Sequence, residues 1–139
     1  MPFVPKASDQ GGMSEVEAGF VEDGISQEGH GFSVDDVVYS DSGMWTAADA
    51  STAALAGEGH RIGIVYAVGS ADLLSVRFGG IHNSDAHGET VGAEVYLSET
   101  AGEFTTTAPS ATNTIVLKLG TVRDADNFDM DIDTGYVNE

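Results

Sequence analysis

From Val34 onward the apolar residues arrive in short runs closed by Gly, Asp, Ser or Asn: VDDVVY at 34–39, RIGIVYAV at 61–68, DLLSVRF at 72–78, AEVYL at 93–97, EFTTT at 103–107, TIVLKLGTV at 114–122 and NFDMDI at 127–132. Several alternate with a period of two, with Ile62, Ile64, Tyr66 and Val68 on one face and Ile115, Leu117 and Leu119 on another. Successive side chains of a strand point to opposite faces, so this period predicts half-buried strands. Val and Ile together number 20 against 10 for Leu and Met, a balance that suits a pleated surface. The fold class expected is all-β, a small β-barrel or β-sandwich. Only DASTAALAG at 49–57 has helical character, with Asp49 as N-cap and Gly57 as terminator of one or two turns.

A longer period is superimposed on the short one. Residues 33–78 and 90–132 share a pattern in which Val34 matches Val91, Tyr39 matches Tyr96, Gly43 and Trp45 match Gly102 and Phe104, and Ile62, Gly63 and Val65 match Leu119, Gly120 and Val122. Ala71 and Asp72 match Ala125 and Asp126. The offset is 57 at the tyrosines, 59 at the first glycines and 54 at the end, so the insertions fall in turns. Two copies of one β-unit are expected, packed together or forming one pseudo-symmetric barrel or sandwich, because a four-stranded unit buries little surface alone. Residues 1–32, with Pro2, Pro5, Gly11, Gly12 and only a brief alternation of Val16, Ala18 and Phe20, read as an extended N-terminal arm carrying one added strand, followed by a β-domain over 33–139.

Charge narrows the function. The chain has 23 acidic and 5 basic residues and a formal net charge of -18. Lys6, Arg61, Arg77, Lys118 and Arg123 are too few to neutralise a polyanion, so neither nucleic acid nor an anionic membrane is an expected partner. No apolar run approaches the roughly 20 residues of a membrane-spanning helix, and the first residues lack the basic-then-apolar pattern of a secretory leader. An excess of carboxylates with almost no Lys repels itself in dilute buffer, whereas molar salt shortens the Debye length to about 3 Å, which points to a halophilic source; the alternative is an ordinary acidic protein that binds divalent ions or stays soluble by repulsion. With no Cys there is no disulfide framework or thiolate site.

Three groups of residues are candidates for chemistry. Asp124, Asp126, Asp129, Asp131 and Asp133 crowd the C-terminal run, but an EF-hand loop counted from Asp124 would place Asp129 where Gly is needed and Gly135 where the bidentate Glu belongs. Their alternation with Phe128, Met130 and Ile132 predicts instead a strand with one buried and one hydrated face. His82 and His87, with Ser84, Asp85 and Glu89 nearby, have neither zinc-finger nor His-Glu-x-x-His spacing and read as polar turn residues. Tyr39, Trp45, Tyr66 and Tyr96 would suit a carbohydrate platform, yet their strand positions favour core packing or a subunit interface. No nucleophile elbow, P-loop or dinucleotide fingerprint occurs, so the chain is expected not to be an enzyme, and no catalytic residue, cofactor or metal ligand is assigned.

The segments HGFSVDDVVYSDSGMWTAADAS at 30–51, GIVYAV at 63–68 and VGAEVYLSETAGEFTTTAPS at 91–110 resemble a pattern recurrent in virion structural proteins of tailed bacteriophages and archaeal tailed viruses: capsid decoration, head-fibre and tail-fibre domains. The resemblance covers about residues 30–132 and departs from the pattern at Asp35, where Gly is usual. It implies a structural virion protein, most readily a capsid decoration or cement protein of a tailed virus of a halophilic host. Its partners would be the major capsid protein or other virion proteins and further copies of itself, as a trimer. The alternative is a tail or fibre module that binds a receptor or glycan. A third expectation, from another class, is a small metal-dependent enzyme using His82, His87 and the C-terminal aspartates.

Overall fold

The computed structural model describes residues 20–51, 55 and 61–139. The arm over 1–19 and most of the helical stretch at 49–57 lie outside the described residues. Twelve strands follow one another among the rest: β1 Val21–Ser26, β2 Val37–Asp41, β3 Met44–Ala47, β4 Ile62–Ser70, β5 Leu73–Arg77, β6 Gly79–Asn83, β7 Glu94–Leu97, β8 Phe104–Thr105, β9 Ile115–Val116, β10 Lys118–Asp124, β11 Asn127–Asp131 and β12 Tyr136–Val137. They form two five-stranded antiparallel sheets, ordered β1-β5-β4-β2-β3 and β6-β11-β10-β7-β8, and a small pair β12-β9. The chain is all-β; the sheets do not close into a barrel and are consistent with a β-sandwich.

The two strand orders are the same order, and several cross-strand pairs correspond. Val38 pairs with Gly63 as Val95 pairs with Gly120, Tyr39 with Thr46 as Tyr96 with Thr105, and Ser40 with Trp45 as Leu97 with Phe104. Loops obey the same correspondence. The amide of Asp35 donates to Val65 O at 2.8 Å and that of Gly92 to Val122 O at 2.9 Å, both from left-handed backbone at φ +84° and +88°. The turn after β1 is tied down by Gly29 N donating to Asp72 Oδ1 at 2.9 Å, and the turn after β6 by Ala86 N donating to Asp126 Oδ1 at 3.0 Å.

By this correspondence each unit has five strands rather than the expected four, and starts with β1 or β6. Residues 20–32, expected as part of the arm, therefore supply the first strand and turn of the first unit, and β1 pairs with β5 of its own sheet. The sequence signal there is weak because β1 carries Gly24 and only two large apolar residues, Val21 and Ile25, and bulges between Glu22 and Ile25. A bulge breaks strict alternation.

The first sheet curls around its own interior of Val38, Trp45, Val65, Leu74 and Val76, lined further by Ile25, Phe32 and Phe78. Its two edges come so close that the Gln27 side chain, just after β1, joins them: Nε2 donates to Trp45 O at 2.9 Å and Oε1 accepts from Trp45 N at 2.8 Å. A primary amide presents one donor and one acceptor side by side, as a peptide unit does, so it completes the ladder where no strand fits. The opposite face of the same strands, with Val37, Ile62 and Ile64, belongs to a second and larger core that includes Val95, Leu97, Ile115, Leu117, Leu119, Val122, Phe128 and Met130 of the second half. Period-two alternation thus sends Val37 and Val38 into two different cores.

Across the seam between the units, Val37 N donates to Gly102 O at 2.9 Å and Gly102 N to Ala48 O at 2.8 Å. Ala50 N donates to Ser98 O at 2.7 Å and Ile115 N to Ala50 O at 2.8 Å. Buried Ala48 and Ala50 let these backbones approach.

Candidate functional site

A polar constellation joining the two units sits on this seam. Asp35, held left-handed in the link before β2, turns its carboxylate toward the second unit. There, alternation along β6 points His82 inward while Ile81 and Asn83 face out. His82 Nε2 lies 2.7 Å from Asp35 Oδ1, and Ser84 Oγ donates to Asp35 Oδ2 at 2.8 Å. The His82 ring is fully buried and nearly parallel to Phe128 at 6.3 Å between centroids. His87 stacks on Phe128 at 4.5 Å, and Phe104 meets it edge-on at 5.0 Å. Beside this cluster, a cleft of about 330 Å³ is lined by Asp35, Asp36, Glu89, Gly102, Glu103 and Phe104.

Burial pushes the His82 ring below its ordinary pKa, outweighing the hydrogen bond and charge of Asp35, and the positive charge of Arg77 acts in the same direction as burial. The ring therefore binds Asp35 as a neutral donor through Nε2, while the buried Nδ1 has no partner. Ser, His and Asp are all present, but the carboxylate sits in the middle: Ser84 donates to Asp35, not to a histidine nitrogen. A nucleophile needs its base in direct contact. What this arrangement does is hold two backbone segments from different units together.

His87 does not join His82 in a common site. Its Nε2 lies 2.7 Å from Asp124 O and its Nδ1 accepts from Glu89 N at 2.9 Å. His30 repeats this lock in the first unit, with Nε2 2.8 Å from Ser70 O and Nδ1 accepting from Phe32 N at 2.9 Å. Both rings clamp the turn of the hairpin beside them, β4–β5 for His30 and β10–β11 for His87. The signal was in the sequence as His-Gly at 30–31 and again at 87–88, with the same offset of 57 as the tyrosines.

The C-terminal aspartates are dispersed among separate tasks. Phe128 and Met130 are buried while Asp129 and Asp131 are exposed, in line with the expected alternation. Asp124 Oδ1 accepts from Asp126 N at 2.9 Å, and this backbone bond holds its carboxyl below the usual range. Asp129 pairs with Arg123 at 3.0 Å, and Asp133 accepts from Gly135 N at 2.9 Å. Among the described residues no group of three or more His, Asp or Glu side chains is arranged to hold a metal ion.

Nor do the aromatics form a platform. Trp45 is buried inside the first sheet against Phe78, with Arg61 stacked over Phe78 at 4.3 Å. Tyr39 packs on the larger core. The half-buried Tyr66 lies under Arg77 at 4.9 Å and donates to Asp23; burial, first, and that carboxylate push its hydroxyl up to about 12. Tyr96, in the second unit, donates to Glu94. Compared with family models, curated proteins and solved structures, the chain matches none.

Proposed function

We propose that the chain is a structural virion protein, a capsid decoration or cement protein of a tailed virus of a halophilic host. Its location would be the virion, and its partners the major capsid protein or other virion proteins and further copies of itself as a trimer. The observation that carries this reading is the use made of polar chemistry. Asp35, His82, Ser84, Gln27, His30 and His87 all join one backbone segment to another, which suits a protein whose task is to hold a shape. The resemblance over residues 30–132 and the acidic composition support it further.

Among the described residues the bases offer no patch for a polyanion. Arg61 pairs with Glu22 at 2.8 Å, Lys118 with Glu94 at 3.1 Å and Arg123 with Asp129 at 3.0 Å. Arg77 is stacked on Tyr66. Neither nucleic acid nor a membrane is therefore proposed as a partner, and an enzymatic role is not proposed. Quantitative mass spectrometry of purified particles tests the reading. Many copies in fixed ratio to the major capsid protein are expected; a few copies per particle would move the chain to a tail or fibre, and its absence from particles would overturn the proposal.

Exposed ion pairs contribute at most about 1 kcal/mol each, so the three named above, among the described residues, leave most of the repulsion among 23 acids to be screened by salt. The thermal midpoint is expected to rise steadily from about 0.1 M to several molar salt. A midpoint that stays level across that range would remove the halophilic part of the reading.

A further inference from the structure

We propose that the Asp35–His82 contact is an acid-sensitive latch between the two units, and that protonating the His82 ring opens the seam while the curled first sheet keeps its interior. The inference rests on geometry at the seam and is independent of the virion reading.

The duplicated architecture supplies its own control. The counterpart of Asp35 is Gly92, at nearly the same positive φ, and the counterpart of His82 is Ile25. Glycine takes a left-handed backbone freely and a side chain resists it, so an Asp kept there carries a conformational cost that its carboxylate must justify. A histidine where the twin unit has isoleucine gives up an apolar contact in a fully buried position. These two departures from the repeat meet each other at 2.7 Å. Asp35 is fixed to the first unit through its amide bond to Val65 O, and His82 to the second through the pairing of β6 with β11.

The contact tolerates one state of the ring. With its proton on Nε2, His82 donates to Asp35, and the bare Nδ1 is buried without a partner. A second proton would place a buried N–H at Nδ1 with no acceptor, and the ring cannot turn Nδ1 to water without leaving Asp35. The groups facing it come from several elements. Asp35 in the link favours the charged ring and Arg77 at the end of β5 opposes it. His87 lies on Phe128, Glu89 lines the adjoining cleft, and Asp126 holds the turn through Ser84 N and Ala86 N.

Burial decides between these opposing charges, and the ring titrates below its ordinary value in the closed seam. A histidine whose folded pKa is depressed contributes stability that is complete above the unfolded value of about 6.5 and is lost as pH falls below it. The seam should therefore weaken by up to about tenfold per pH unit below 6.5.

The test follows amide exchange and the His82 ring by NMR in the full chain, at constant high salt, between about pH 7.5 and 5, a range chosen around the ordinary histidine pKa. Expected are a ring that stays neutral while the seam is closed, and faster exchange at Val37, Gly102, Ala50 and Ile115 in acid while Leu74 and Val76 stay protected. His82→Gln, which keeps a donor but does not titrate, should flatten the response, whereas His30→Gln and His87→Gln should leave the seam's response in place. If His82→Gln does not fold, the wild-type ring titration decides alone. A ring that protonates at or above 6.5 with the seam closed overturns the proposal. So does protection lost uniformly through both sheets, or an acid response that persists in His82→Gln.

Discussion

Gly120→Ala is expected to destabilise the chain by about 3 kcal/mol or more, the upper end of what overpacking costs. A Cβ at this position would lie 2.0 Å from the backbone oxygen of Asp129 on the neighbouring strand β11 and 3.0 Å from Met130 Cα. Neither atom belongs to a flexible side chain, so relief requires moving the strand. The pairing of β10 with β7 on the other side is irregular between Lys118 and Gly120. Gly63→Ala, the same position in the first unit, meets Val76 Cγ1 at 2.4 Å and Arg77 O at 2.8 Å and should fall in the same class. Gly88→Ala serves as the comparison: it meets nothing within 4 Å and bears only the strain of its positive φ, about 1 kcal/mol. Denaturant unfolding at one fixed high salt concentration reads all three. A Gly120→Ala midpoint no lower than that of Gly88→Ala would show that β10 and β11 are not packed as described.

Phe128→Ala should cost about 3–5 kcal/mol, the range for emptying a buried aromatic site. Phe128 is fully buried and is the side chain on which His82, His87 and Phe104 converge. Its counterpart Leu74 is fully buried in the interior of the first sheet, and Leu74→Ala should cost about 2–5 kcal/mol. The expected signature of both is a lower denaturant midpoint with an unchanged slope. A loss below about 1 kcal/mol for Phe128→Ala would mean that the second interior is loosely filled.

The doubled architecture was legible because its anchors are residues that few others can replace. Glycines at 63 and 120 tolerate no Cβ, and Gly43 and Gly102 share a left-handed turn ahead of an aromatic. What escaped sequence reading was the first strand of each unit. VEDGIS and GGIHN contain a bulge or adjacent glycines and too few apolar residues for a period to register. The seam constellation escaped for a different reason: Asp35 and His82 are 47 residues apart, and local pattern cannot announce a partner. The departure from Gly at 35 was visible, but its meaning depended on a left-handed backbone. His82 reads in sequence as a turn residue, because a polar ring with one partner inside the fold looks the same there as one in solvent.

The two units are alike, but their packing is not reciprocal. The first offers Val37 and Ile64 to the shared core, whereas the matching positions of the second are the exposed Glu94 and the half-buried Thr121, with Glu94 engaged by Lys118. A head-to-tail contact between like bodies can repeat without limit and build a fibre. Here a third unit arriving in the same sense would have to desolvate an ion pair where the first unit buries a valine. Growth through this face of the second unit is therefore disfavoured relative to the contact the first unit makes.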